Sequence, residues 1–278
     1  MARLLDITPT FDAFAGHAFL ENPMVREQQW RDRYEQVHPD VFEAFYARQP
    51  SREGLSALVR DLSDVRQLVT SAAPVVKGLI EEVEPAVAGA LGLRSTGLPR
   101  HVLMVGPMST NALVGRLEGE VTLFHCLEWF TTTDGERVLV AHEDTHAFHE
   151  MALGQPAPED ATWTAFYEGL AIRASREVVP GRPEAEYFWY GHPGFPDWLE
   201  WCREQRGSLI QRFQEALDEP ETTETWFGGG LVERRWRVGF FVADQLIGRL
   251  GLSLPELLAM SIAEGRTAIR DALGQSGP

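Results

Sequence analysis

His142 and His146 sit in a stretch that buries one face only as a helix. Val138, Ala141, Thr145, Phe148 and Ala152 recur at spacings of three and four, which is the apolar period of a helix packed on one side. His142, His146 and His149 fall on a neighbouring face of the same helix. Asp134-Gly135-Glu136 offers a start and Gly154 and Pro156 offer stops, so the pattern predicts a helix from about 135 to 153.

That helix has chemical content. Side chains four residues apart lie roughly 40° from each other and about 6 Å apart along the axis, so the imidazoles of His142 and His146 can grip one ion. Glu143 follows the first of them, where its carboxylate can reach a water on that ion; the pattern is HExxH. His149 lies about 10 Å along the axis from His142, too far to share the ion, and is expected to pack or to orient a neighbour. A catalytic zinc takes three protein ligands and keeps one position open, so a further ligand must come from another segment.

Glu168 is the best candidate, within the run Trp163-Thr164-Ala165-Phe166-Tyr167-Glu168-Gly169-Leu170-Ala171. Gln155-Pro156-Ala157-Pro158 makes a turn, Asp160 or Thr162 can cap, and apolar positions continue to about Val179, which predicts a second helix. The short connection favours an antiparallel neighbour. Glycine inside a helix costs roughly 1 kcal/mol against alanine, so Gly169 asks for a packing reason. The expected reason is a close approach of this helix to the first, with Gly169 and Ala171 removing bulk beside the carboxylate.

HEDTH, followed 22 residues after His146 by Glu-Gly-Leu-Ala, resembles the gluzincin metallopeptidases, and within them an uncharacterised bacterial family of predicted zinc-dependent proteases. The resemblance covers about residues 95 to 250. It implies one zinc per chain held by His142, His146 and Glu168, with Glu143 as general base and later proton donor in peptide-bond hydrolysis. It implies an α+β, zincin-like fold, mostly helical, with a small mixed sheet whose edge strand borders the metal helix. That strand is Val121-Thr122-Leu123-Phe124-His125-Cys126-Leu127, so Thr122, Leu123, Phe124 and His125 are expected to receive a peptide or protein substrate along a free edge. Ile172 stands where thermolysin-like enzymes place an Asp, and Tyr167 where aminopeptidase N-like enzymes place an Asn.

The related proteases carry a Gly-Tyr pair in a late helix, a donor for the oxyanion of the tetrahedral intermediate. The matching stretch here is Trp236-Arg237-Val238-Gly239-Phe240-Phe241, without the phenol. Tyr190, His192, Arg235 and Arg237 are the candidates to replace it, with Tyr187 in the same aromatic loop.

The rest of the chain is consistent with a soluble globular protein. A net charge of −16 argues against binding a nucleic-acid backbone, and Arg234, Arg235 and Arg237 form the one basic cluster, suited to ion pairing or to a carboxylate. No run approaches the roughly 18 apolar residues of a membrane span, the start has no cleavable leader pattern, and Cys126 and Cys202 suggest no disulfide scaffold; a cytoplasmic location is expected. Oligomeric state is left open. Helices are predicted at about 24–37, 40–48, 51–70 and 74–91, then strands at 100–106, 112–117 and 120–130. Later helices are predicted at about 196–217, 231–250 and 254–272, with Gly228-Gly229-Gly230 as a hinge. This suggests a helical lobe over residues 1–94 and a catalytic domain over 95–278, or one integrated domain.

Three other functions fit parts of the sequence. Glu35-Gln36-Val37-His38 is a second ExxH beside Glu143-Asp144-Thr145-His146, as a di-iron helical bundle requires, but Pro39 biases His38 away from helix. His38-Pro39-Asp40 matches the tripeptide of J-domain chaperone partners without their upstream residues. A zinc-containing peptide-binding protein without turnover accounts for the missing phenol of the late helix.

Overall fold

The computed structural model describes residues 3–93, 97–130 and 133–274. The protein is mostly helical, and its described residues form one four-stranded mixed sheet. Two compact units divide the chain, the first of residues 1–84 and 96–136 and the second of 85–95 and 137–278. The expected division at 94/95 falls outside the described residues. The N-terminal helices share a unit with the sheet.

In the first unit the chain runs through β1 (Arg3–Asp6), α1 (Thr8–Ala18), α2 (Pro23–Arg33), α3 (Pro39–Arg48), α4 (Leu55–Arg60) and most of α5 (Leu62–Ala90), whose residues from Pro85 on belong to the second unit. The sheet is completed by β2 (Arg100–Met104), β3 (Ala112–Leu117) and β4 (Glu120–Cys126), in the order β1-β2-β4-β3. β1 lies parallel to β2, with Arg3 opposite Arg100, and β2 parallel to β4, with Arg100 opposite Thr122. β3 and β4 form an antiparallel hairpin. Its two turn residues, Glu118 and Gly119, both have positive φ, the twist that suits a two-residue hairpin.

This order corrects the expected edge strand. β4 is hydrogen-bonded on one side to β2 and on the other to β3, so Thr122, Leu123, Phe124 and His125 have no free main-chain edge to offer a peptide. The edges of the sheet are β1 and β3. Behind it, Phe11, Phe14, Trp30, Tyr34 and Phe42 pack edge to face, and Phe45 meets Phe124 of β4 with ring centroids 6.0 Å apart.

The second ExxH has structural work in this unit. Glu35 accepts a hydrogen bond from the Trp30 indole at 2.9 Å and pairs with Arg52 at 3.1 Å, while His38 Nε2 meets the Thr10 hydroxyl at 2.8 Å. The break expected between the helices at 51–70 and 74–91 does not occur, and α5 runs through Pro74. Val69, Ala72, Val76, Leu79, Ile80, Val83 and Val87 form a buried stripe whose packing offsets the hydrogen bond that proline cannot make.

The second unit is built from helices: α6 (Thr133–Leu153), α7 (Ala161–Val178), α8 (Glu184–Phe188), α9 (Trp198–Glu204), α10 (Arg206–Ala216), α11 (Thr222–Phe227), α12 (Val238–Leu250), α13 (Leu254–Leu258) and α14 (Ile262–Gly274). The helix expected at 196–217 is divided at Gln205. The one expected from 231 begins only at Val238, because Glu233, Arg234 and Arg237 adopt left-handed backbone. α7 is capped by the Asp160 carboxylate, which accepts from the Trp163 amide at 3.0 Å.

α7 packs against α8, α11, α12, α13 and α14. Its closest approach is to α12. A Cβ at Gly169 would lie 2.4 Å from Ile247 Cγ1 and 2.7 Å from the Ala243 carbonyl oxygen. Gly169 therefore admits α12, and the expectation that it admits the metal-binding helix is corrected. Among the described residues no helix is long and apolar enough to cross a membrane.

Candidate metal centre

α6 is unusual for the polar groups that it buries. His142, Glu143, Asp144, His146, His149 and Glu150 are all nearly inaccessible. Burying ionisable groups is costly unless they are paired or bound to a cation, so this helix requires compensation close by. α7 supplies part of it through Glu168.

Glu168 Oε2 lies 3.0 Å from His142 Nε2 and 3.4 Å from His146 Nε2, and the two imidazole nitrogens are 3.0 Å apart. These three residues are the group of potential ligand atoms that comes together among the described residues, all within 4.8 Å of one another. Tetrahedral zinc, with bonds of about 2.0–2.2 Å to nitrogen and oxygen, separates its ligands by about 3.3 Å, so the triangle has the size that such an ion requires. Two imidazoles and a carboxylate also form the donor set of catalytic zinc sites. The His142 side chain is fully buried, whereas those of His146 and Glu168 are 7% and 15% exposed, so access is from their side.

The electrostatics favour cation binding. Burial lowers the pKa of His142 to about 4, which leaves its imidazole neutral with a lone pair to give. Burial opposes ionisation of Glu168, but the charge of His146 and hydrogen bonds from both imidazoles hold its carboxyl well below the usual range. Burial also works against a charge on His146, and Glu168 nonetheless raises its pKa. Glu143, 6% exposed, is pushed up to about 7, chiefly by burial. His149 is lowered to about 3, first by burial and then by His146, and it packs among the rings of Trp163, Phe166 and Tyr167, as expected for a residue outside the ligand set.

Metal-binding imidazoles are ordinarily oriented by an acceptor on the second ring nitrogen. Here Nδ1 of His142 and Nδ1 of His146 are buried without a hydrogen-bond partner among the described residues. Ring packing takes over that role. Tyr167 stacks on His146 with centroids 3.8 Å apart and planes at 13°, and Tyr190 meets His142 at 4.5 Å and 63°. Tyr167 was noted in the sequence only for the asparagine it replaces. The available cue was the cluster of rings at 163, 166 and 167, one turn before and beside Glu168.

The candidate oxyanion donors divide. Tyr190 and Arg237 come together beside His142, with the Arg237 guanidinium 4.1 Å from the Tyr190 ring centroid and donating to the Phe188 carbonyl at 3.0 and 3.1 Å. Both residues have left-handed backbone, with φ of 51° and 63°, a conformation that costs a bulky side chain roughly 1–2 kcal/mol. His192 is exposed, and Arg235 lies over Trp201 at 4.5 Å. Tyr187 is buried and its hydroxyl donates to the Val179 carbonyl at 2.7 Å.

Compared with protein-family models, curated proteins and solved structures, the chain has no match, and the site stands on its geometry.

Proposed function

We propose that the protein is a zinc-dependent hydrolase of peptide bonds, organised as in gluzincins. The observation that carries this proposal is the convergence of His142 Nε2, His146 Nε2 and Glu168 Oε2 within 4.8 Å, next to the buried Glu143. These three residues would hold the ion, whose chemistry when bound is to acidify water and polarise a carbonyl.

The remaining work falls to the chain. Glu143 follows the first ligand on α6, where it receives the proton of the attacking water and passes it to the departing amine nitrogen. The phenol of Tyr190 and the guanidinium of Arg237, on the His142 side, supply the donors for negative charge on the carbonyl oxygen. Tyr190 thereby replaces the tyrosine missing from the late helix, with Arg237 at the start of α12 seated against its ring.

Metal analysis combined with peptide hydrolysis by Glu143→Gln tests the proposal. Wild type and variant should each bind one zinc per chain, and the variant should lose at least about 10²-fold in hydrolysis rate. Equal rates would remove Glu143 from the reaction, and failure of the wild type to retain zinc would remove the metal centre.

A further inference from the structure

A cavity of about 550 Å³ opens in the second unit along α7 and α12, and it shares no residue with the metal group. Arg173, Arg176 and Glu177 reach it from one face of α7, Asp244 and Arg249 from α12, and Arg206 from the first position of α10. Four guanidinium groups thus meet in one hollow of a chain whose net charge is −16.

Two of the four are already engaged. Arg176 pairs with Asp244 at 2.8 Å and with Glu184 at 2.7 Å, and Arg249 donates to the Ala272 carbonyl at 2.7 Å. Arg173 and Arg206 have no hydrogen-bond or ion-pair partner among the described residues. Asp244 is committed to Arg176, so Glu177 is the one carboxylate of the lining left to answer both. The imbalance acts on a neighbour: burial and the charge of Arg206 lower the pKa of Arg249 from its ordinary value. Guanidinium forks prefer the paired oxygens of carboxylate and phosphate, and the hollow, open on one side, has a volume within the range of small-ligand sites, about 300–1,000 Å³.

We propose that this cavity binds a small molecule carrying a phosphate or carboxylate group, held by Arg173 and Arg206 against the fixed Arg176–Asp244 pair. The site is separate from the proposed peptidase chemistry and does not depend on it.

The protein without added metal is titrated with inorganic phosphate and, separately, with citrate, at constant ionic strength against chloride, and its thermal midpoint is followed. Such anions also stabilise proteins by exclusion from the surface, so the decisive comparison is with the double variant Arg173→Ala and Arg206→Ala. The expected result is a saturable rise in midpoint for wild type with at least one anion, and an apparent Kd at least about tenfold weaker in the variant. A response to phosphate alone identifies phosphate esters as the ligand class, and a response to citrate alone identifies polycarboxylates. No saturable rise with either anion, or the same Kd in wild type and variant, overturns the proposal. Arg173→Lys with Arg206→Lys, which keeps the charge but not the fork, should bind with intermediate affinity and guards against loss of fold in the alanine variant.

Discussion

The ring of Tyr167 lies flat on the imidazole of His146, with centroids 3.8 Å apart and planes inclined by 13°. His146 Nε2 points into the triangle with His142 and Glu168, while its Nδ1 has no hydrogen-bond partner among the described residues. A ring face therefore fixes the direction of a potential ligand where a carboxylate usually does. Tyr167 precedes Glu168 in α7, so one turn of helix both supplies a candidate ligand oxygen and aligns a candidate ligand nitrogen.

Removing that face should loosen the metal. In Tyr167→Leu zinc affinity is expected to fall by about 10–100-fold, the usual range for losing a group that orients a ligand. Tyr167→Phe keeps the ring that stacks on His146 and should stay within a few-fold of wild type. Competition with a chromophoric chelator reads both. Equal affinity for the leucine variant would show that the stack is incidental.

Tyr190 should separate binding from turnover. Its ring lies 4.5 Å from that of His142, and Arg237 covers it at 4.1 Å. If its phenol donates to the developing oxyanion, Tyr190→Phe lowers kcat by about 10²-fold with zinc content and KM little altered. A variant with wild-type kcat would assign the donor elsewhere, Arg237 being next.

What the sequence revealed was what is local. His142, Glu143 and His146 could be placed because helical periodicity fixes their mutual positions, and Glu168 because a short turn returns the chain beside them. Choices between distant segments were hidden. β4 was expected at an edge because the resemblance implied one there, and the parallel pairing of β2 with β4, which together with the β3 hairpin places β4 inside the sheet, joins segments whose register no local pattern announces. Gly169 announced a close approach but not its partner, since any helix can use the gap and α12 lies some 70 residues later. Tyr190 reaches His142 from an irregular segment, where no period tells which of several aromatic side chains turns inward.

The α7–α12 approach can be tested by adding a single methyl group. Gly169→Ala gains roughly 1 kcal/mol of helix propensity but sets a Cβ 2.4 Å from Ile247 and 2.7 Å from the Ala243 carbonyl oxygen. Rotation of Ile247 can relieve the first overlap. The second is with backbone, which moves only if the helices part, so overpacking of about 1–3 kcal/mol wins. Urea unfolding should show a net loss of stability. A variant as stable as wild type would mean that the helices separate freely.

Glu128 gives the first unit a pH dependence of definite sign. Its carboxylate is 6% exposed and accepts hydrogen bonds from the Gly106 and Met108 amides at 2.9 and 3.3 Å. Burial outweighs those bonds and raises its pKa from an ordinary 4.5 to about 8. Below the unfolded value both states hold the proton and the group is neutral to stability. Between about 4.5 and 8 only the folded state keeps it, so stability falls as pH rises, by on the order of 1 kcal/mol per pH unit, and levels off above the folded value. Other buried acids slope the same way, so the informative quantity is the difference between wild type and Glu128→Gln in denaturant titrations from pH 5 to 8. The glutamine retains an acceptor for one amide and cannot ionise, and its advantage over wild type should grow steadily with pH. Parallel curves for the two proteins would mean that the folded state carries Glu128 ionised throughout.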